Sequence, residues 1–203
     1  MGILRAVVFD WGGVLAHTHS EQDYQFMADR CELSRSAFSQ LFLKSRGHFD
    51  RGDIDAITYW SEIASNNLSP EAIKELVRLD AHSLLLPNEP VISWAADLRR
   101  ARVVTAILSN MPTALVELIK DQCAWVRDFA PQVFSCQVRS IKPEPEIYAH
   151  CLQTMRLPGS DVLFLDDKQA NIDAARQAGM QALLFSNVQQ SMDFSRQAFN
   201  SSK

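Results

Sequence analysis

The chain has 203 residues, of which 47% are hydrophobic and 22% charged, an ordinary balance for a globular fold that excludes collagenous, disordered and repeat-array classes. Its formal net charge of -4 offers no positive field to gather a polyanion, so nucleic acid is not expected as a partner. No run of about 18 apolar residues occurs, and the apolar opening is too short for a secretory signal, so neither a membrane span nor export is expected. A cytoplasmic protein is expected, with Cys31, Cys123, Cys136 and Cys151 reduced, because no CxxC pair or zinc spacing links them.

Read in chain order, the first buried strand falls at 6–9. The stretch 17–86 then carries helical periodicity and no strand, as an inserted bundle would. Its helix starts are expected at Ser34 before 35–44, at Asp53 before 54–63, and at Ser69 before 70–79, the last with Pro70 at its favoured first position. Arg51-Gly52-Asp53 reads as a turn between two of these helices. Phe38, Leu41, Phe42 and Trp60 fall at helical spacing and are expected in the core of the bundle. Strands at 103–108, 132–134, 162–165 and 182–185 then alternate with helices at 90–100, 113–120, 144–155 and 171–178, the last closed by Gly179. Strand followed by helix, repeated, gives an α/β fold with a doubly wound parallel sheet. The division expected is a core from 1–16 and 87–203 and a helical cap from 17–86. The polar tail 186–203 reads as a terminal helix or loose chain.

Reactive residue types gather where strands end. Asp10 closes the first strand before Trp11-Gly12-Gly13, Ser109-Asn110 closes the second, Lys142-Pro143 follows the third, and Asp166-Asp167 closes the fourth. Each alone is an ordinary turn or cap. In open α/β sheets, however, ligands bind outside the carboxyl ends of strands, and four such groups at equivalent ends mark one site. Glycine-rich dinucleotide and P-loop fingerprints are absent.

The segments Phe9-Asp10-Trp11-Gly12-Gly13-Val14-Leu15, Leu108-Ser109-Asn110, Ile141-Lys142-Pro143-Glu144 and Phe164-Leu165-Asp166-Asp167 resemble the four motifs of the haloacid dehalogenase-like hydrolase superfamily. The segment from Phe164 to Met180 and the turn Phe49-Asp50-Arg51-Gly52-Asp53-Ile54 resemble the branch that holds the amino-terminal phosphatase domain of epoxide hydrolases and a bacterial glucose-1-phosphate phosphatase. The resemblance implies a Rossmann-like core with a helical cap and a magnesium-dependent phosphatase acting on a small phosphate ester. Asp10 would be the nucleophile, Lys142 its charge partner, and Ser109 with the Asn110 backbone the phosphate donors. Mg2+ would be held by Asp10, the Gly12 carbonyl and the Asp166-Asp167 pair, with Asp167 matching the direct ligand and Asp166 acting through water or by holding Lys142, although the sequence alone allows these two to be reversed. Trp11 would either contact substrate or pack beneath the cap, and Arg46 and Arg51 would either reach a substrate hydroxyl or anion or stay on the cap surface.

One position departs from the family pattern. Phosphatases of the superfamily carry a second aspartate two residues after the nucleophile as general acid, and here that position is Gly12. A good leaving group would remove the need for an acid, and His17, His19 or His48 could supply one. Gly12 also keeps two alternatives open, a metal-independent 2-haloacid dehalogenase and a non-catalytic descendant that binds phosphate or a partner. Three carboxylates around one lysine repel unless a cation joins them, which favours the metal-dependent phosphatase. Either a monomer or a homodimer is compatible with the sequence.

Overall fold

The computed structural model describes residues 4–65 and 68–200, so the ends of the expected core division and of the tail lie outside the described residues. Five strands, β1 (Ala6–Phe9), β2 (Val104–Ser109), β3 (Gln132–Phe134), β4 (Val162–Asp166) and β5 (Gln181–Leu184), form one parallel sheet in the order β3-β2-β1-β4-β5. Phe9 is level with Ile107 of β2 and Leu165 of β4, so Asp10, Ser109 and Asp166 emerge at the same edge. The chain builds one side of the sheet through β3 and then crosses β1 to place β4, making a topological switch point beside β1. The expected α/β fold with a doubly wound parallel sheet is therefore present, each strand lying within a residue or so of its expected position.

Period-two alternation divides the strand side chains between two apolar layers. Val7 and Phe9 face one layer with α6 (Glu89–Arg100), α7 (Thr113–Gln122) and α11 (Val188–Asn200), whereas Ala6 and Val8 face α9 (Pro145–Met155) and α10 (Gln169–Gln177). Phe9 meets Trp94 and Phe129 edge to face, with ring centroids 5.6 and 5.9 Å away. Burying each such large side chain contributes about 1.5–3 kcal/mol, which anchors the strand that ends at Asp10.

Between β1 and α6 lie α1 (Glu21–Arg30), α2 (Arg35–Lys44), α3 (Arg46–Arg51), α4 (Ala56–Ala64) and α5 (Pro70–Ala81), with a core of their own. Phe38, Phe42 and Trp60 are buried in it as expected, joined by Phe49 and Tyr59, while Leu41 packs at its margin. Ser34 and Ser69 accept from the backbone N–H of Ala37 and Ala72 and cap α2 and α5. The expected cap at Asp53 is corrected. Gly52 ends α3 at φ +78°, leaving Asp53 and Ile54 as a link, and Asp55 accepts from Thr58 N to start α4. Three further helices lack a sequence expectation: α1, opened by a Ser20–Asp23 capping box, α3, and the single-turn α8 (Ser135–Val138). The tail forms α11 rather than loose chain, and no described helix is long and apolar enough to cross a membrane.

The helices at 21–81 touch the sheet domain through polar contacts beneath α3. Arg51 makes two hydrogen bonds to Glu144, at 2.9 and 2.6 Å, and Arg139 donates to Asp53 at 2.7 Å. The Ser135 hydroxyl donates to the backbone carbonyl of Asp50.

Candidate active site

Asp10 leaves β1 into a tight loop. Gly13 takes φ +80°, and its N–H bonds Ala16 O at 2.8 Å. An added Cβ at Gly13 would stand 2.6 Å from Asp167 Oδ2, so the loop lies against the Asp167 carboxylate and requires glycine there. The Asp10 carboxylate accepts from Trp11 N at 2.6 Å and meets Lys142 Nζ at 2.7 Å. Lys142 Nζ also donates to Asp166 Oδ2 at 2.6 Å, so a fully buried ammonium bridges two carboxylates. Asn110 grips the backbone of Lys142 from both sides, accepting from its N–H at 2.7 Å and donating to its carbonyl at 2.9 Å. Sequence reasoning assigned only the Asn110 backbone; its side chain turns out to place the lysine.

The two neighbouring aspartates differ sharply. Asp166 accepts from Lys142, from the Lys168 N–H at 2.9 Å and from Asn171 Nδ2 at 2.9 and 3.0 Å, and burial is outweighed by these donors, which hold its carboxyl below the ordinary value. Asp167 keeps one oxygen, Oδ1, buried with no hydrogen-bond partner among the described residues. Burial, then the Asp166 charge, pushes Asp167 above its ordinary value. Asp10 is raised to about 7, because burial and Asp166 together exceed the pull of Lys142.

Ligand atoms of Asp10, Asp166 and Asp167 lie within 4.8 Å of one another. An orphaned buried carboxylate oxygen, a raised nucleophile and an all-oxygen donor set suit a hard divalent cation such as Mg2+, since one would satisfy Asp167 Oδ1 and offset the Asp10 charge. Asp166 is already saturated by protein donors, which leaves Asp10, the Gly12 carbonyl and Asp167 as the groups able to take a cation.

A cavity of about 210 Å³ opens above these groups. Ser109 lines it, and its hydroxyl makes no hydrogen bond with the described residues. The opposite wall comes from the inserted helices and carries His19, Tyr24, Phe42, Arg46 and Asp50. The Trp11 indole is turned away. It is fully buried, stacked on Trp125 at 5.0 Å between ring centroids, and donates to Leu84 O at 2.8 Å, so the ring packs beneath the cap while the residue also borders the cavity. Among the three histidines considered, His17 is exposed and His48 is an exposed partner of Asp53 at 3.1 Å, while only His19 reaches the cavity. Arg46 pairs with Asp50 at 2.9 Å and Asp80 at 3.0 Å through Nε and Nη1 while lining the cavity, and Arg51 pairs with Glu144.

Asp50, Asp80 and Asn171 were not singled out from the sequence. A signal for Asp80 was present, since it falls on the same stripe as Ile73 and Leu76 of α5, where a buried carboxylate demands a partner. Asn171 lies five residues after Asp166 on the first turn of α10, within reach of that carboxylate.

Comparison with known proteins identifies the family. The mouse bifunctional epoxide hydrolase 2 is 33% identical over 105 residues, which are 50% of this chain and 19% of that protein, so the chain spans about a fifth of that relative. An N-acetylmuramic acid 6-phosphate phosphatase from Pseudomonas putida is 26% identical over 193 residues, 87% of this chain and 80% of that one. A HAD family enzyme from Bacteroides thetaiotaomicron, solved in complex with magnesium and inorganic phosphate, superposes at TM-score 0.73 with 18% identity over 94% of this chain and 99% of that one. The family model for haloacid dehalogenase-like hydrolases matches residues 4–179, nearly the whole described core and the inserted helices, and the chain belongs to that family.

Proposed function

We propose that the protein is a magnesium-dependent phosphatase of small phosphorylated metabolites, a sugar phosphate being favoured, working through a phosphoryl group carried on Asp10. The observation that carries this reading is the pairing of a saturated Asp166, which fixes Lys142 against Asp10, with an Asp167 oxygen that has no protein partner. That division of labour suits one cation and one nucleophile. The relatives that include a phosphatase, and the fold neighbour solved with magnesium and phosphate, support it.

In this reading the Ser109 hydroxyl and the Asn110 N–H hold phosphate oxygens, and Lys142 offsets charge on the nucleophile and the transferring group. The Asp10 carboxylate attacks phosphorus, the bond to the ester oxygen breaks, and water then releases phosphate and restores the carboxylate. Mg2+, when held by Asp10, the Gly12 carbonyl and Asp167, supplies positive charge that lets one anion approach another. Residues 17–86 serve as the cap over residues 1–16 and 87–203, and the small, half-enclosed cavity favours a compact ester over a macromolecule.

Gly12 supports a second reading, the metal-independent 2-haloacid dehalogenase, because a departing halide needs no proton. The carboxylate cluster weighs against it, since it lacks sufficient positive charge without a metal. A panel of sugar, acyl and aryl phosphates assayed with Mg2+ and with excess EDTA, beside chloride release from 2-chloropropionate, separates the two. Metal-dependent phosphate release is expected; chloride release that survives EDTA would overturn the proposal.

A further inference from the structure

The phosphatase reading leaves a proton unaccounted for. Position 12 carries no side chain, yet an alkoxide leaving group needs an acid and the attacking water needs a base. The groups on the cavity wall that can exchange a proton are Lys142, Lys168, His19, Tyr24 and Asp50. Lys142 is locked between two carboxylates, and His19 commits Nε2 to the carbonyl and carboxylate of Asp80 at 2.7 and 2.8 Å. Asp50 is different. Its carboxyl takes one hydrogen bond among the described residues, from Arg46 Nε to Oδ1 at 2.9 Å, which leaves Oδ2 uncommitted in a half-enclosed wall position.

Its placement is fixed from the core side. The Asp50 carbonyl accepts from the Ser135 hydroxyl, which itself accepts from Met111 N at 2.8 Å, one residue beyond Asn110. The next residue, Arg51, forks onto Glu144, two residues beyond Lys142. The end of α3 is thus tied to the same two loops that carry Ser109 and Lys142. We propose that Asp50, held by Arg46 across the cavity from Asp10, is the proton donor and acceptor of the reaction in place of the side chain missing at position 12. This inference rests on the phosphatase reading and goes beyond it.

The step balances. As Asp10 forms its bond to phosphorus, the ester P–O bond breaks and the leaving oxygen takes the Asp50 proton, giving alcohol and an Asp50 carboxylate. Water then attacks the phosphorus on Asp10, one of its protons passes to Asp50, and the P–O bond to Asp10 breaks to release hydrogen phosphate. The groups that interact electrostatically with Asp50 are Arg46 on its own helix, Tyr59 on α4, Asp80 on α5, Cys136 on α8 and Lys168 after β4. Burial, helped by Asp80, outweighs Arg46 and Lys168 and raises the carboxyl above its ordinary value, the direction a proton donor requires. Arg46, also bonded to Asp80, acts as the positioning residue.

The test compares glycerol 2-phosphate, whose alkoxide needs a proton, with p-nitrophenyl phosphate, whose leaving group does not, using full-length wild type, Asp50→Asn, Asp50→Glu and His19→Gln with Mg2+. Single-turnover release of the leaving group reads the donor role apart from the hydrolysis of the Asp10 phosphoryl group, which both esters share. Asp50→Asn is expected to lose about 10² to 10⁴ in that release from the glycerol ester and less than about tenfold from the aryl ester, Asp50→Glu recovering part of the loss. Adding Gly12→Asp to Asp50→Asn is expected to restore release from the glycerol ester. Wild type alone gives an independent reading: its release from the glycerol ester should fall on the alkaline side while that from the aryl ester does not. Equal losses of release from both esters, or a selective loss in His19→Gln instead, would overturn the assignment while leaving the phosphatase standing. Wild type silent on every phosphate ester would overturn both.

Discussion

Replacing Lys142 with methionine keeps the length of the side chain and removes its charge, which leaves Asp10 and Asp166 facing each other with no cation between them. In the wild type, Nζ lies 2.7 Å from Asp10 and 2.6 Å from Asp166, and all three groups are buried. Removing one partner from a buried ionic network costs about 3–5 kcal/mol, because the remaining charges keep their desolvation cost and lose their compensation. For a chain of this size that is a fall in Tm of about 6–20 °C. The sign of the pH dependence follows from linkage. Asp10 is raised to about 7 even with Lys142 present, and without it the folded carboxyl rises further above its unfolded value. A group raised in this way destabilises the fold when ionised, so the Asp10 share of the deficit is largest at alkaline pH and disappears as pH falls below about 7, where both proteins carry a protonated Asp10. Mg2+ should recover part of it at pH 8 by supplying the missing charge. Thermal unfolding of the two proteins across pH, with and without Mg2+, reads all three effects. A deficit of the same size at every pH and unaffected by Mg2+ would refute the electrostatic account and leave only lost packing.

Other perturbations test single contacts. Asp10→Asn is nearly isosteric and should abolish phosphate release while leaving the circular dichroism spectrum unchanged, whereas appreciable residual turnover would discredit the nucleophile. Gly13→Ala forces a Cβ against Asp167 at φ +80°, so it should cost about 1–2 kcal/mol in stability and raise the Mg2+ concentration for half-maximal activity at least several-fold; an unchanged metal requirement would separate Asp167 from the cation. Asp23 accepts from Ser20, His82 and Ser83, and these bonds outweigh burial to hold its carboxyl at about 2. Because this folded value lies below the unfolded one, its contribution of about 2 kcal/mol is present above pH 4 and lost as pH falls toward 2. Asp23→Asn should therefore lower Tm at neutral pH and converge with wild type in acid.

The sequence makes the sheet and its reactive edge legible because both depend on local signals. Continuous apolar runs such as Val162-Leu163-Phe164-Leu165 can only be buried strands, and the polar residue after each must emerge at one edge once the strands are parallel. The inserted helices are less legible. Six of the ten residues 21–30 are charged or amide side chains and the apolar ones form no regular stripe, so α1 announces itself mainly through the Ser20–Asp23 box, and Asp53 competes with Asp55 for the start of α4 until the left-handed Gly52 decides between them. Least legible are the contacts that complete the site. Arg51 and Glu144 are 93 residues apart, and Ser135 reaches an Asp50 carbonyl 85 residues away, so nothing short of the packed structure places Asp50 on the cavity wall or shows that Arg46 is already engaged. Trp11 shows another limit, since the sequence leaves substrate contact and packing beneath the cap equally open while the structure stacks its ring on Trp125.

The central claim is that Asp10 carries the phosphoryl group. Its most direct test is an acid quench of wild type during turnover of p-nitrophenyl phosphate with Mg2+, followed by peptide mass spectrometry. The account predicts one added phosphoryl mass on the peptide containing Asp10, absent with EDTA and absent in Asp10→Asn. Turnover that proceeds with a phosphoryl group on another residue, or that persists in Asp10→Asn, would contradict it.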